Sequence, residues 1–206
     1  RCTQSRYERF QKETRRMNLM MQILKDLTPL NRVFCSSDFD RSADYLMKLL
    51  PFKDIVYRQQ EFNGWMIHPK WDVKKAEIRK GGEVLYDATA HPLRLMALSA
   101  PFKGTVPLDT LKAHLHYDHR RDDAVPFHFR QMYRPWDRDW GFCVTKKFFD
   151  SLAPGDYEIE IETDESEGYL RVLDYTHKGE LPETFAIAAH LDHPGMANAP
   201  SGTAAM

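Results

Sequence analysis

The residues with the most chemical content lie late in the chain, in His190-Leu191-Asp192-His193-Pro194-Gly195. Imidazole is the commonest side-chain ligand for a divalent metal. Asp192, two residues beyond His190, can accept the other ring proton and so fix the tautomer and orientation of that imidazole. His193 offers a second imidazole, and Asn198 a neutral amide farther on. Ser201-Gly202 then opens what reads as a helix, with Thr203 to Met206 in its first turn. Spacing alone leaves two readings open: a metal-binding turn, or a strand-to-helix loop whose histidines are incidental.

Two other clusters are weaker. His114, His116, His119 and His128 lie close in sequence, with Asp118 and Asp122 beside them. On a helix His116 and His119 would share a face and His114 would lie away from it, so a helix end running into a polar loop is the better account. Arg120, Arg121, Arg130, Arg134 and Arg138 are interleaved with aromatics. Such a loop could grip an anionic or peptide ligand, but Arg–Asp pairs holding the loop together explain it more simply. Gly81-Gly82 reads as a turn rather than a phosphate loop, because no helix follows it.

These groups must be positioned by elements. Phe185-Ala186-Ile187-Ala188-Ala189 is continuously apolar, as in a strand covered on both faces of an α/β sheet. His190 would then sit at a strand's carboxyl end, where ligands of open α/β sheets bind. The first 26 residues predict a helix, with Tyr7, Phe10, Met17, Met20, Met21 and Leu24 on one face. A second helix is expected from about Asp38 to Leu50, with N-cap oxygens on Ser36, Ser37 or Asp38 and a stop at Pro51. Ile55 to Arg58 reads as a strand.

From Trp65 the texture becomes β. Val73–Arg79 and Glu83–Asp87 flank the Gly81-Gly82 turn as a hairpin. Leu93–Ser99 reads as a strand, and a short helix starts near Leu108. Tyr117 to Asp139 reads as a long ordered loop, anchored by Phe127, Phe129, Tyr133, Trp136 and Trp140. A strand from Gly141 to Thr145 and a helix from Lys146 to Leu152 follow. Tyr157–Thr163 alternates apolar and acidic residues, the pattern of a half-exposed antiparallel strand, and Tyr169–Lys178 is its expected return strand.

Composition narrows the function classes. The 206 residues carry 29 Lys and Arg against 30 Asp and Glu, a formal net charge of −1, which argues against a dedicated nucleic-acid binder. With 42% hydrophobic and 12% aromatic residues the chain can bury a substantial core. No apolar run approaches the ~18 residues of a membrane span, and Arg1-Cys2-Thr3-Gln4 does not open an apolar signal core. Cys2, Cys35 and Cys143 suit free thiols in a reducing cytoplasm, so the expected location is cytoplasmic.

Several motifs together carry a resemblance. Trp71-Asp72-Val73, Ala76-Glu77-Ile78, His114-Leu115-His116, Trp140-Gly141-Phe142-Cys143, Gly155-Asp156-Tyr157-Glu158 and the run from His190 to Gly202 occur in one order. Over roughly Leu27 to Met206 this resembles the co-catalytic zinc aminopeptidases, and more closely a bacterial branch of aminopeptidase-like proteins with an inserted β domain. The resemblance implies an α/β fold: a zinc-aminopeptidase-like α/β/α domain, incomplete here, with an inserted, mostly antiparallel β domain. The implied division is 1–64 for the N-terminal helices and first strand, 65–178 for the inserted domain, and 179–206 for the return to the peptidase-like domain.

The resemblance also implies roles. His190 matches the first zinc ligand and Asp192 the acidic residue that orients it; His193 and Asn198 are metal or pocket candidates. The family binds two zinc ions and hydrolyses peptide or amide bonds at a free amino terminus, so the implied partner is a peptide or small amide, with no nucleic acid and no membrane; a homo-oligomer is compatible with it. The family's Asn-Asp, whose carboxylate bridges the metals, is incomplete: restoring its spacing would need an Asp between Asn198 and Ala199, or Asn198 itself occupies the aspartate position if the register is kept from Ser201. A neutral amide cannot supply that charge. The family's remaining ligands and catalytic Glu come after the Ser-Gly helix, beyond Met206. On that footing the 206 residues alone are expected to bind zinc weakly or not at all and to be inactive. The alternatives are a non-catalytic binding or assembly module that keeps the fold, and a mononuclear metal protein using His190 with His193.

Overall fold

A computed structural model of the chain describes residues 17–58, 61–62, 64–129, 137–180 and 183–195. In chain order the elements are α1 (17–27), α2 (Ser37–Met47), β1 (Lys53–Tyr57), β2 (Glu61–Phe62), β3 (Trp65–Met66), β4 (Asp72–Lys80) and β5 (Glu83–Asp87). After a 3-10 turn (Ala88–Ala90) come β6 (Phe102–Pro107), α3 (Leu108–Ala113), β7 (Leu115–His116), β8 (Phe142–Cys143), α4 (Lys146–Ser151), β9 (Asp156–Asp164) and β10 (Leu170–Asp174). The fold is mixed α/β, with sheets that are largely antiparallel.

The largest sheet has the order β5-β4-β9-β6. Gly81 and Gly82, at φ 58° and 85°, make the tight turn that folds β5 back on β4; both occupy the left-handed region that suits such hairpins. Alternation then sorts the faces. Ala76, Ile78, Tyr157, Ile159, Ile161 and Val106 point inward and are buried. Outside, Glu160 bonds Lys103 at 2.6 Å and pairs with Lys75, while Glu77 pairs with Arg79 at 2.6 Å. The inner face packs on Trp71, Leu111, Leu115, Trp140, Phe142 and Val144 to form the main core.

The helices form a thinner layer. Ser36 caps α2 by accepting from the Phe39 amide at 3.0 Å. Ile23, Leu27 and Leu46 make a second, smaller core, with Leu24, Tyr45, Phe52, Leu173 and Leu191 packed around it. The two layers are stitched where Ser37 donates twice to Asp72, each at 2.7 Å, and where the Trp71 amide donates to the Cys35 carbonyl at 3.0 Å. The buried thiols of Cys35 and Cys143 are both free, and burial pushes them up to about 11 and about 12. Cys2 lies outside the described residues.

Three strand expectations are corrected. The return strand after β9 pairs with β1 instead, in register from Lys53↔Asp174 to Tyr57↔Leu170. Both edges of β9 are already taken by β4 and β6, so no edge remains for a hairpin partner. Gly168 allows the redirection: a Cβ there would run into the His68 carbonyl oxygen. Leu93–Ser99 forms only isolated bridges, Leu95↔Phe142 and Ala97↔Phe129, because buried Leu98 turns the chain at φ 62°. The buried strand expected over Phe185–Ala189 is not formed; Phe185 is 89% and Ile187 75% exposed, and among the described residues no strand lies beside them to satisfy the backbone.

Of the loop aromatics, Trp140 is buried, stacking on Phe102 at 4.7 Å, while Phe127 and Phe129 meet at 5.5 Å. Tyr133 and Trp136 lie outside the described residues, as does the first stretch of the N-terminal helix through residue 16. Among the described residues no helix is long and apolar enough to cross a membrane.

Candidate functional site

The His190–Gly195 turn is built by packing and by one cation. Leu191 packs into the smaller core beneath α1 and α2. Pro194 restricts the backbone, and Gly195 closes the turn at φ 93°, a conformation few other residues adopt. Asp192 sits in the middle: its Oδ1 is 3.4 Å from Nδ1 of His190 and 3.3 Å from Nδ1 of His193. The rings of His190 and His193 stand nearly perpendicular, with centroids 6.0 Å apart. Phe127, from the long loop, sets its ring edge-to-face with that of His193 at 5.4 Å.

Burial differs sharply across the turn. The His190 side chain is 76% exposed, whereas those of Asp192 and His193 are largely covered. Nδ1 of His193 is buried and, among the described residues, has no aligned hydrogen-bond partner, although the Asp192 carboxylate is within ion-pair distance. A buried imidazole nitrogen left in this state is costly unless something else engages it.

Beneath the turn lies Arg32, fully buried between α1 and α2. Its guanidinium donates from Nε to the Leu191 carbonyl at 3.2 Å, and from one terminal nitrogen to the carbonyls of His193 at 2.6 Å and Gly195 at 2.9 Å. The other terminal nitrogen bonds the Leu27 carbonyl at the end of α1. Burial lowers this group to about 10, offset in part by Asp38 and Asp192, so it stays charged at neutral pH. Sequence reasoning missed Arg32. Its one signal is placement: a cation in Leu30-Asn31-Arg32-Val33, between the apolar Leu30 and Val33 that lie at a helix junction.

In donor type, His190 and His193, with Asp192 facing the Nδ1 atom of each, fit a borderline divalent cation such as zinc. They make only part of a shell: among the described residues no set of three or more His, Cys, Asp or Glu side chains is gathered to hold a metal ion. Asn198, with Ser201 and Gly202, lies outside the described residues.

The second histidine cluster serves the architecture. His114 ends α3, stacks on Trp140 at 3.9 Å, and holds Thr110 O at 2.8 Å and Asp139 at 3.3 Å. His116 stacks on His128 at 3.7 Å, and the His128 carbonyl accepts from the Ala97 amide at 3.0 Å. In the arginine-rich loop, Arg120 pairs with Asp118 at 3.2 Å; Arg138 bonds Glu165 at 2.7 Å and the Ser99 carbonyl at 3.1 Å. Arg130 and Arg134 lie outside the described residues. Arg138 thus ties the loop to the scaffold, whereas Arg120 pairs within the loop.

Comparison with known proteins adds to this geometry. Residues 70–164, the stretch from just before β4 to the end of β9, match the family described as Domain of unknown function (DUF2172). The chain is 28% identical over 179 residues to a Clostridium acetobutylicum protein named "Putative polysaccharide biosynthesis protein with aminopeptidase-like domain", covering 85% of this chain and 40% of that one. A crystal structure described as a "putative peptidase", also from Clostridium acetobutylicum, superposes with a TM-score of 0.83 at 27% identity, covering 97% of this chain and 47% of that one. The chain therefore spans less than half the length of the relatives it matches, and nearly all of it is similar in sequence and fold to proteins named as peptidase or aminopeptidase-like.

Proposed function

We propose that the protein is a zinc-dependent, aminopeptidase-like hydrolase of peptide or amide bonds, with an α/β/α peptidase domain and an inserted β domain, and that the His190–Gly195 turn supplies part of its metal site. The observation that carries this reading is Asp192 facing the Nδ1 atoms of both His190 and His193 on a turn held by a buried arginine. The likeness to proteins bearing aminopeptidase-like names supports it.

In this reading His190 and His193 hold the metal and Asp192 orients both rings, keeping them basic. Bound zinc supplies Lewis acidity toward the scissile carbonyl. Leu191 and Phe127 exclude water from one side of the turn, and His190, the exposed member, faces the substrate side. Two zinc ions are the family expectation, with Asn198 as the pocket residue nearest in sequence.

The test is hydrolysis of dipeptides with free and with acetylated amino termini by the full-length protein, before and after chelation. Cleavage restricted to free amino termini, lost on chelation and restored by zinc, is the expected result. Chelation-insensitive cleavage would overturn it. A second reading, a binding or assembly module that keeps the fold, is favoured by the absence, among the described residues, of any gathered set of three metal-ligating side chains. Zinc-free protein with no hydrolysis of either peptide class would establish that reading instead.

A further inference from the structure

We propose that Arg32 is the positioning residue of the His190 turn: by gathering the carbonyls of Leu191, His193 and Gly195 it holds Asp192 between the two imidazoles and sets their affinity for a divalent cation. The part concerning metal rests on the function proposed above.

The geometry is specific. Arg32 donates to three alternate carbonyls of the turn, 191, 193 and 195. Each bond fixes one peptide plane, so the backbone on either side of Asp192 and His193 is held. A planar guanidinium suits this work, since its donors form a rigid fork and remain charged when buried. Its neighbours are pinned in turn. The Asn31 amide donates to Asp38 at 2.8 Å, and the Asn31 carbonyl accepts from Ser36 at 2.9 Å. The bond to the Leu27 carbonyl places the cation at the negative end of the α1 dipole.

The acceptors explain why this arginine is kept for the turn. Among the described residues its hydrogen bonds go to carbonyl oxygens, while Asp38 and Asp192 act on it through their charge. A buried arginine used only to tie helices would serve as well with one carboxylate partner. Here most of its donors go to the six residues that carry both imidazoles and their carboxylate.

The experiment compares the full-length wild-type protein with Arg32→Lys, Arg32→Met and His190→Ala. Hydrogen exchange is measured without metal over 190–195 and over β4 and β9; zinc titration and the visible absorption of bound cobalt(II) report the metal. Arg32→Met should speed exchange at 190–195, leave β4 and β9 protected, and weaken zinc about 10- to 100-fold with an altered cobalt spectrum. Arg32→Lys should recover part of the affinity, since an ammonium keeps the charge but not the fork.

Zinc affinity and 190–195 exchange unchanged in Arg32→Met, with binding abolished in His190→Ala, would overturn the role of Arg32 while leaving the metal reading intact. Affinity lost only together with protection in β4 and β9, in the lysine variant as well as the methionine one, would also overturn it, by showing a general fold defect. Zinc binding indifferent to His190→Ala would overturn the metal reading, and the metal part of this proposal with it.

Discussion

Around Trp71 and Ile159, strands and two short helices enclose a core in which Ala76, Ile78, Leu111, Phe142 and Val144 are fully shut off from water. Around Leu27 the helical layer has a small apolar cluster of Ile23, Leu27 and Leu46, while Met17, Leu19 and Met21 on α1 and Leu49 and Leu50 just beyond α2 remain exposed. The large sheet packs on the main core; the candidate chemistry hangs on the thin layer. Stability and site thus draw on different cores, and the His190 turn answers to α1, α2 and Arg32 more than to the sheet.

The largest effect that could break this contrast is in the main core. Phe142→Ala should cost about 3–5 kcal/mol in urea unfolding and lower the stability of the whole molecule. Leu27→Ala should cost about 2–3 kcal/mol and loosen 190–195 in hydrogen exchange while β4 and β9 stay protected. Equal loosening of both regions by Leu27→Ala would merge the two cores into one cooperative unit.

The seam between α2 and the β1–β10 ribbon is ionic. Arg171 bonds Asp54 at 2.9 Å and Asp44 at 2.6 Å, and reaches Asp40 at 3.4 Å; Tyr169 donates to Asp40 at 2.6 Å. Burial opposes the charge on Arg171, but its hydrogen bonds to Asp54 and Asp44 outweigh it and raise the group above its usual range. Arg171→Met should therefore cost about 1–2 kcal/mol, with the loss shrinking at high salt. A loss independent of salt would mean that Arg171 acts through its packed stem.

The smallest effect is on the charged outer face of the sheet. Hydrogen bonds from Lys103 and then Lys75 hold the Glu160 carboxyl down to about 2, against an ordinary 4.5. A carboxyl depressed on folding stabilises above its unfolded value, and that contribution is lost as pH falls from about 4.5 toward about 2. Glu160→Gln should flatten stability against pH in that window and leave it unchanged in slope near neutrality. An unaltered acid profile would show that these exposed pairs contribute nothing.

Legibility in the sequence follows the same division. The Gly81-Gly82 hairpin, the Tyr157–Thr163 alternation and the capped helix near Ser36 were readable because each depends on neighbours in sequence. The partner of β10 was not, since it is decided by which sheet edge is open, and β9 has none. Leu98 was misread as strand because a single left-handed residue leaves no mark in an apolar run. At the site, the His190–Asp192 pairing could be anticipated from spacing, whereas Arg32 acts from about 160 positions away, through backbone carbonyls that no residue pattern encodes.

The most direct test of a metal-binding turn on the thin layer is the zinc content of purified full-length protein, measured beside His190→Ala. Zinc bound by the wild type and lost from the variant, with sheet exchange unchanged, is the expected result. Equal zinc in both, or none in either, would contradict a metal role for the His190–Gly195 turn.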